Sequence, residues 1–382
     1  MGIAELTRNA VDLLPEGALE AKLELGRPLR IKLGIDPTSP DLHLGFAYAL
    51  ENLRAFQEEG HEIVLIVGDY TARIGDPSGR SAERPVLPGE VLDANAKEFE
   101  QQAYRIIDPE RTTIRLNGEW LGELTYEEVV RLCRTLTVAR LLERDDFAKR
   151  FATHAPISLS ELLYQLMQAY DSVAIEADIE VGGTDQLYNL LAGRDVMAQY
   201  GQEPQVVMTF PLLIGLDGEE KMSKSKGNYI AVQDPPEEMY GKVMSIPDEL
   251  LPQWWDICLG SEPPAGDPMS SKLALAYGIV EKWHGAEAAA RAAKHFTRVV
   301  REHQAPDDVP EASLPEGDPV HLPALLVELL GVGSTSEARR LIQQGGVKLD
   351  GAAITELDVP RERLEGATLQ AGKRRFVRFL RG

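Results

Sequence analysis

Cysteine is scarce in this sequence, and long apolar runs are absent. The 382 residues include two cysteines, Cys133 and Cys258, which lie far apart and outside any paired motif. This distribution argues against a disulfide framework and against a cysteine-ligated zinc site. No apolar run approaches the roughly 18–20 residues of a membrane-spanning helix, and the N-terminus lacks the basic segment and apolar core of an export signal. We therefore expect a cytoplasmic protein, and its length with 43% apolar residues predicts two or three domains.

Two common nucleotide-binding motifs are also missing. The sequence contains neither G-x-G-x-x-G nor G-x-x-x-x-G-K-[ST], so a dinucleotide-binding fold or a P-loop would lack its usual phosphate cradle. Positive charge is in short supply, because 40 Lys and Arg face 61 Asp and Glu and the net charge is −21. Residues 320–382 differ, since their ten basic and seven acidic side chains give +3 and leave −24 for the rest. A nucleic-acid contact should therefore concentrate at this end of the chain and in local basic loops.

Strands and helices alternate in the first half of the chain. Strands are predicted at Arg30–Ile35, Ile63–Val67 and Thr112–Leu116. The first is followed by a predicted helix over residues 42–56, for which Asp41 is a plausible N-cap, and the third by a predicted helix at Tyr126–Leu136. This order predicts an α/β fold with a doubly wound parallel sheet that binds its ligand at the carboxyl ends of the strands.

Small and polar residues follow two of the predicted strands. His43-Leu44-Gly45 lies in the first turn of a helix, where free N–H groups and the helix dipole favour a phosphate. Gly182-Gly183-Thr184-Asp185-Gln186 follows a predicted strand at Asp178–Val181, and its carboxylate could accept hydrogen bonds from both hydroxyls of a ribose. Taken alone, the first motif is more simply an ordinary helix start, and the second is equally compatible with a β-turn and helix cap.

A later helix carries a line of polar side chains. Ser158-Leu159-Ser160-Glu161 is typical of a capping box, and the apolar face that follows comprises Leu159, Leu162, Leu163, Leu166, Met167 and Tyr170. Tyr164, Gln168 and Asp171 recur at i, i+4 and i+7 on the opposite face. A solvated surface stripe is an equally good explanation of the spacing alone. A phenol, an amide and a carboxylate are nevertheless better suited to hydrogen-bonding a small zwitterion than the Lys and Glu usual on surface helices.

The segment most suggestive of chemistry is Lys221-Met222-Ser223-Lys224-Ser225-Lys226-Gly227-Asn228. Its lysines supply mobile positive charge, and its small residues let backbone N–H groups approach an anion, so a polyphosphate is the expected ligand. A solvated basic turn is the simpler explanation of its composition alone, but the neighbouring motifs favour the phosphate site.

The C-terminal part predicts a separate small αβ domain. Residues 302–319 are rich in proline and acidic residues and predict a linker. Helices are then predicted at Leu322–Leu330 and Thr335–Gln344, and a strand at Val347–Leu349. Residues 373–379 alternate cations with aromatic or apolar residues, which fits either an edge strand with a charged outer face or a phosphate contact with stacking aromatics. The RNA interpretation is slightly favoured.

Four motifs, H-L-G, the Tyr164/Gln168/Asp171 line, GGTDQ and KMSKS, occur in an order that resembles the class I aminoacyl-tRNA synthetases, specifically the bacterial tyrosyl-tRNA synthetases. KMSKS is the second signature of that class, and residues 37–46 lie where the first signature, HIGH, belongs. Leu322–Phe379 is similar to an RNA-binding module shared with a ribosomal protein. The implied domains are a Rossmann-like catalytic domain at 1–233, a helical anticodon-side domain at 234–301, the linker at 302–319 and an α+β RNA-binding domain at 320–382.

The resemblance implies a role for each site residue. His43, Lys221 and Lys224 would be catalytic and hold the ATP phosphates. Other ATP-binding residues would be Asp36, Gly45, Gly183, Asp185, Met222, Ser223 and Ser225. Substrate-binding residues would be Lys32, Gly34, Asp76, Tyr164, Gln168, Asp171 and Gln186, with Asp171 accepting a hydrogen bond from the phenol. Arg80 and Arg84 would contact tRNA or pyrophosphate. Mg²⁺ is expected to accompany ATP, and no protein-bound metal is expected.

The implied activity is ATP-dependent formation of tyrosyl-adenylate and pyrophosphate, followed by transfer of tyrosine to tRNA(Tyr), in a homodimer that does not associate with membranes. Two residues depart from the family pattern. Phe46 replaces the last histidine of the first signature, and Lys32 replaces a tyrosine found in many members. Phe46 motivates an alternative, a weakly active or inactive paralogue that binds RNA. A tryptophan-specific class I enzyme is a third possibility, but Asp171 and the RNA module favour tyrosine.

Overall fold

The computed structural model describes residues 2–76, 88–301, 309–372 and 375–380. Arg80 and Arg84, predicted to contact tRNA or pyrophosphate, lie outside the described residues, as do Lys373 and Arg374 of the basic tail. The chain forms two compact units, Met1–Asp234 with Ile246–Glu262, and Pro235–Ser245 with Pro263–Gly382.

A six-stranded sheet forms the centre of the first unit. Its strands are β1 (Asp12–Leu14), β2 (Arg30–Ile35), β3 (Glu62–Val67), β4 (Thr112–Leu116), β5 (Ile179–Gly183) and β6 (Val206–Phe210). They lie in the order β1-β6-β5-β2-β3-β4, with β1 antiparallel to β6 and all other neighbours parallel. The central strand β3 is almost fully buried, as a parallel strand covered on both faces requires. β2 and β4 have the predicted bounds, and the predicted α/β fold class is confirmed.

Helices surround this sheet and continue beyond it. They are α1 (Ile3–Leu6), α2 (Ala18–Leu23), α3 (Leu44–Glu58), α4 (Gly89–Ala103), α5 (Gly118–Leu121), α6 (Tyr126–Cys133), α7 (Val138–Leu141), α8 (Asp145–Ala152), α9 (Leu159–Ala174), α10 (Leu187–Gln199), α11 (Pro236–Val243), α12 (Leu251–Leu259), α13 (Pro268–His284) and α14 (Ala286–Phe296). The helical pattern predicted from Asp234 onward corresponds to α11–α14, of which α12 belongs to the first unit.

The predicted N-cap of α3 was wrong. His43, not Asp41, caps this helix, because its backbone is extended and its Nδ1 accepts the N–H of Phe46. The Asp41 carboxylate instead accepts a hydrogen bond from the hydroxyl of Tyr229, 3.1 Å away. This contact ties the loop before α3 to the segment that follows the lysine loop.

Helix α9 begins with the predicted capping box, formed between Ser158 and Glu161. The explanation of its polar line as a solvated surface stripe was wrong, because Tyr164 and Asp171 are buried. Leu159, assigned to the apolar face, is instead 79% exposed. The rest of the predicted apolar face does face the interior, since Leu166 is buried in a core cluster against which Leu162, Leu163 and Tyr170 pack.

The end of the chain forms a small domain around one apolar core. Its elements are β7 (Glu311–Ala312), β8 (Val320–His321), α15 (Leu322–Leu330), α16 (Thr335–Gln343), β9 (Val347–Leu349), β10 (Ala352–Ala353), β11 (Asp358–Val359), α17 (Arg361–Leu364), β12 (Thr368–Ala371) and β13 (Arg375–Phe379). One sheet has the order β10-β9-β12-β13-β7, and β8 pairs with β11. The segment predicted as a linker is described from Val309 onward, and there β7 pairs with β13 in parallel, so this end of it belongs to the domain's sheet.

Two predictions for the basic tail were wrong. β13 is not an edge strand, since it lies between β12 and β7. Its aromatic residues cannot stack on bases, because Phe379 packs in the domain core and Phe376 packs with Val299 and Val309. Arg375 and Arg378 remain exposed, so these two cations are the part of the strand open to a ligand.

Candidate active site

The lysine loop lies beside the predicted phosphate-binding helix start. The chain after the loop runs antiparallel to the residues before α3, with an isolated bridge between His43 and Ala231 and a 3.0 Å hydrogen bond from the Leu44 N–H to the Ile230 carbonyl. The Lys224 ammonium donates to the Ser39 carbonyl at 3.2 Å. Two segments about 180 residues apart in the chain thus form one wall of the site.

The loop holds its own shape. Asn228 is buried, and its amide accepts the Ser223 N–H at 2.8 Å and donates to the Asp217 carboxylate at 2.6 Å. Gly227 ends the short helical turn Lys224–Lys226 with φ +69°, a conformation that a residue with a Cβ adopts only at a cost. Met222 is buried, whereas Ser223 and Ser225 lie nearer the surface with their hydroxyls 3.0 Å apart. The predicted ATP-binding residues therefore include one, Met222, that anchors the loop by packing.

Lys221 forms an ion pair with the Asp185 carboxylate of the GGTDQ segment. Both side chains keep partial access to solvent, so an incoming ligand can compete for either of them. The structure thereby brings KMSKS and GGTDQ together, at the carboxyl end of β5, as the sequence interpretation requires.

His43 is buried beside two lysines. Burial, followed by the positive charges of Lys224 and Lys221, lowers its pKa to about 3, so the imidazole is neutral at physiological pH. Because its Nδ1 accepts the N–H of Phe46, the ring proton resides on Nε2, which can donate to an anion. His43 is thus available as a neutral hydrogen-bond donor.

Lys224 is the perturbed cation of the loop. Burial lowers its pKa to about 8, opposed by the nearby Asp41 carboxylate. At neutral pH the Lys224 ammonium is protonated in most molecules of the protein. This protonated fraction decreases with small rises in pH. The site therefore combines a neutral imidazole with a titratable ammonium.

Phe46 lies in the first turn of α3, and its ring packs against two aromatic neighbours. Its centroid is 5.0 Å from that of His43 and 6.0 Å from that of Phe99 on α4. The ring fixes the imidazole by packing but supplies no hydrogen bond to a phosphate.

Buried donors surround Asp171 on the inner side of α9. Trp120 Nε1 donates to one carboxylate oxygen at 2.8 Å, and the Asn117 amide lies 3.3 Å from the other. Burial raises the pKa of Asp171 to about 6, opposed first by the positive charge of Lys32 and then by these two donors. Sequence reasoning missed Asn117 and Trp120, although Asn117 follows β4 directly, where a parallel sheet places ligand-binding residues.

Other predicted substrate-binding residues lie near this carboxylate. The Tyr164 hydroxyl donates to Asp36 at 3.1 Å, and the Gln186 amide donates to Asp76 at 3.0 Å. The side-chain Oε1 of Gln168 is buried without a hydrogen-bond partner among the described residues, as expected of an atom that awaits a polar ligand.

The three predicted glycines have different surroundings. A Cβ at Gly34, in the middle of β2, would meet no atom within 4 Å, so open space lies above the sheet there. A Cβ at Gly183 would approach Leu212 to 2.5 Å, and one at Gly45 would press on the His43 ring at 3.3 Å. Gly34 thus borders open space beside β2, whereas the other two glycines allow neighbouring side chains to pack closely.

Lys32, also on β2, does not border this open space. It is fully buried, and its ammonium donates to the Gln168 carbonyl, the Ser172 hydroxyl and the Glu180 carboxylate, each at 2.8 Å. Its three N–H bonds are therefore all committed to protein acceptors.

Known protein families match nearly the whole chain. Residues 24–305 match the family model of tRNA synthetases class I (W and Y), and residues 321–359 match the S4 domain. The chain belongs to the class I (W and Y) tRNA synthetase family.

Curated relatives in this family are named Tyrosine--tRNA ligase. The protein of Moorella thermoacetica is 49% identical, with 98% of this chain and 94% of the relative covered, and that of Thermotoga maritima is 49% identical, with 99% and 96% covered. The tyrosyl-tRNA synthetase of Aeropyrum pernix is similar in fold, with a TM-score of 0.61 at 22% identity over 76% of this chain and 96% of that chain. The predicted resemblance to bacterial tyrosyl-tRNA synthetases, with their class I fold, is confirmed.

Two absences within the described residues concern cofactors and membranes. Among the residues that the structure describes, no three His, Cys, Asp or Glu side chains are grouped as metal ligands. No helix within the described ranges is both long and apolar enough to cross a membrane.

Proposed function

We propose that this class I synthetase is a tyrosine–tRNA ligase, which activates L-tyrosine with ATP and then transfers it to tRNA(Tyr). The observation that carries the proposal is the convergence of four motifs. The KMSKS lysines, Asp185, His43 and the buried Asp171 line belong to one compact unit, around the carboxyl ends of β2 and β5. A polyphosphate site and an amino-acid site side by side are what adenylate formation needs.

In the first reaction the tyrosine carboxylate attacks the α-phosphorus of ATP, a carboxylate oxygen bonds to phosphorus, and pyrophosphate leaves with the electrons of the broken P–O bond. The nucleophile and the leaving group are both competent without a protein base. Catalysis therefore depends on positioning and on donors directed at the developing charge, each worth about 2.7–4 kcal/mol in acyl-transfer enzymes. His43 Nε2–H, Lys221 and Lys224 supply these donors. In the second reaction a ribose hydroxyl at the tRNA end attacks the acyl carbon and AMP leaves.

The amino acid is read at both of its ends. Asp171 accepts the hydrogen bond of the phenol hydroxyl, and Tyr164, Gln168 and Asp76 hold the ammonium, with Gln186 near the carboxyl group. Phenylalanine would leave the buried Asp171 carboxylate short of a partner, and that desolvation cost opposes its binding. Tryptophan offers an N–H at a different position, so the geometry of Asp171 favours tyrosine.

ATP occupies the side of the site formed by the lysine loop. Asp185 binds the ribose after Lys221 leaves it for the phosphates, and Gly45 and Gly183 keep the walls close to the nucleotide. Asp36, Met222, Ser223 and Ser225 complete this side. Mg²⁺ enters as the counter-ion of ATP rather than as a resident metal, because its usual ligands are substrate phosphates.

The wider assembly follows from the family. The four domains implied by the sequence are kept as part of this proposal, with 320–382 as the RNA-binding domain and Arg80 and Arg84 toward tRNA or pyrophosphate. The protein acts in the cytoplasm as a homodimer. Support for a dimer comes from large apolar side chains left exposed between β4 and β5, namely Tyr126, Val138, Phe151 and Leu159.

Tyrosine-dependent exchange of labelled pyrophosphate into ATP tests this proposal. We expect exchange with tyrosine and little with tryptophan or phenylalanine. Exchange at background level with tyrosine would contradict the proposal and support the alternative of an RNA-binding paralogue, for which Phe46 is the motivating residue. Exchange with tryptophan alone would reassign the substrate within the family.

A further inference from the structure

Lys32 is a buried lysine that takes no part in the proposed reaction. Its Cα is the register partner of Glu180 across the parallel strands β2 and β5, and their side chains form an ion pair that solvent does not reach. Burying two charges is costly, and a pair of this kind adds little stability compared with apolar residues of the same size. A buried ion pair beside a binding site is therefore a candidate for a functional role.

The hydrogen bonds of Lys32 converge on one turn of α9. Its ammonium donates to the main-chain carbonyl of Gln168 and to the hydroxyl of Ser172, which donates in turn to Glu180 at 2.9 Å. Gln205 on the strand side donates to the same carboxylate at 2.6 Å. Asp171 lies within this turn, so the cluster fixes the helix where the phenol hydroxyl would be bound.

The charge of Lys32 also acts on Asp171. Its positive charge favours the ionised carboxylate, and the weaker opposing influence is the negative charge of Glu180. The charged or titratable groups near Asp171 are Lys32 on β2, Glu180 on β5 and Tyr164 on α9, beside the donors Asn117 and Trp120.

We infer that Lys32 is a positioning residue for tyrosine specificity: it holds the Gln168–Ser172 turn, and with it Asp171, against the sheet without contacting the substrate. The inference rests on the proposed function, because it assumes that the ligand at Asp171 is tyrosine. It assigns to a buried ion pair the task of presenting a carboxylate, rather than a neutral acid, to the phenol.

Calorimetric binding of L-tyrosine and L-phenylalanine to the full chain, between about pH 5 and pH 8, tests the inference. Tyrosine affinity of the unaltered protein should fall as the pH drops through about 6, where Asp171 takes up a proton. In Lys32→Met this fall should move to higher pH, and tyrosine affinity at pH 7 should drop by about tenfold while phenylalanine affinity stays the same, since a charged acceptor is the stronger one. In Glu180→Gln the fall should move to lower pH.

Opposite shifts from the two partners of one ion pair distinguish positioning from mere stabilisation. A structural role would weaken both ligands in both variants and lower the melting temperature without moving the pH of the transition. The matched control is Lys22→Met, because Lys22 is also a buried lysine, paired with Glu203 and Asp178 and without a bond to α9. Shifts in the same direction, or none, would overturn the inference.

Two further outcomes distinguish a failure of the proposed activity from a failure of the inference about Lys32. Binding requires no ATP, so a protein that binds tyrosine but shows no pyrophosphate exchange would refute the proposed activity while the binding data still decide the role of Lys32. Absence of tyrosine binding by the unaltered protein would overturn the inference itself. If Lys32→Met does not fold, the downward shift expected of Glu180→Gln remains a sufficient test.

Discussion

At the scale of single residues, the proposed phosphate site draws its charge and its directed hydrogen bond from different side chains. His43 is neutral because it is buried beside Lys224 and Lys221, so it contributes a directed Nε2–H donor. The lysines contribute the charge. This arrangement avoids a third cation beside the two lysines and leaves Lys224, with a pKa lowered to about 8, as the cation whose charge is most sensitive to pH near neutrality.

Lys224 should therefore set an alkaline limit on activity. Its pKa lies below the ordinary lysine value, so its charge is present below about pH 8 and is lost above that pH in the free enzyme. We expect kcat/KM for ATP in pyrophosphate exchange to decline as the pH rises through that value, because kcat/KM reports the free enzyme. Lys224→Arg should remove the decline, since guanidinium stays charged. An unchanged decline in that variant would assign it to another group.

Phe46 gives a second prediction at this scale. Phe46→His places a donor where the first signature of the family has one, and a donor at a developing oxyanion is worth about a hundredfold in rate or more. We expect faster exchange together with a small loss of stability, because the contacts with His43 and Phe99 weaken. Phe46→Leu is the control that loses the ring without gaining a donor. Equal rates for the histidine variant and the unaltered protein would mean that another group already serves the phosphate.

At the scale of elements, α9 carries three of the proposed tyrosine-binding residues, Tyr164, Gln168 and Asp171. Its start is held by a buried ion pair, in which Arg150 donates to both oxygens of Glu161, at 2.5 and 2.9 Å, while Glu161 also accepts the N–H of Ser158. The guanidinium lowers the pKa of this carboxyl, so the pair contributes stability above the ordinary glutamate pKa and loses it as the pH falls.

Arg150→Met should consequently destabilise the fold. It leaves Glu161 buried without its cation, which typically costs about 3–5 kcal/mol. The matched control is Arg115→Met, because Arg115 pairs with Glu119 at the surface and such pairs contribute about 0–1 kcal/mol. Urea unfolding of both variants measures the difference, and the gap should narrow as the pH falls through the lowered pKa of Glu161 and the carboxylate takes up a proton. Equal stabilities at neutral pH would contradict the structural role of the pair.

At the scale of the whole molecule, net charge is distributed unevenly between the C-terminal domain and the rest of the chain. Residues 320–382 carry a net charge of +3 in a chain of −21. β7 and Leu314 belong to the small C-terminal domain, so a cut that removes the whole domain lies before Val309 and also removes the contact of Phe376 with Val299.

Truncation after Arg301 should leave tyrosine-dependent exchange intact and weaken tRNA charging. The remaining chain keeps every proposed ATP and tyrosine residue and loses the exposed cations Arg375 and Arg378. Filter binding of tRNA across a salt series measures the loss, and the log–log slope should flatten by about one unit for each phosphate contact removed. Unimpaired charging by the truncated chain would refute an RNA role for the domain.

The proposed homodimer makes a second prediction at this scale. Phe151 is 63% and Leu159 is 79% exposed, which a stable monomer rarely leaves uncovered on adjacent helices. Phe151→Glu with Leu159→Glu should shift sedimentation toward the monomer at micromolar concentration. The control is Leu380→Glu, a change at an exposed residue outside this segment. If the unaltered protein sediments as a monomer, the proposed homodimer is wrong.

Local patterns in the sequence determined the elements and the motifs. The β2 strand, the α9 capping box and the KMSKS loop are each specified by residues within a few positions, through alternation, capping and turn chemistry, and so they could be predicted directly. The phosphate and tyrosine motifs could be recognised for the same reason. The family resemblance rested on their order along the chain.

Only the tertiary structure decided what each side chain meets. Lys32 and Glu180 lie far apart in the chain and become register partners when β2 and β5 pair, and Trp120 reaches Asp171 only after the sheet has formed. Phe379 is buried by the core of the small domain on one face of β13, and Phe376 is buried by Val299 and Val309 on the other. Burial and long-range pairing arise from packing the whole chain, so a local pattern shows which chemistry is available and the packing decides where it acts.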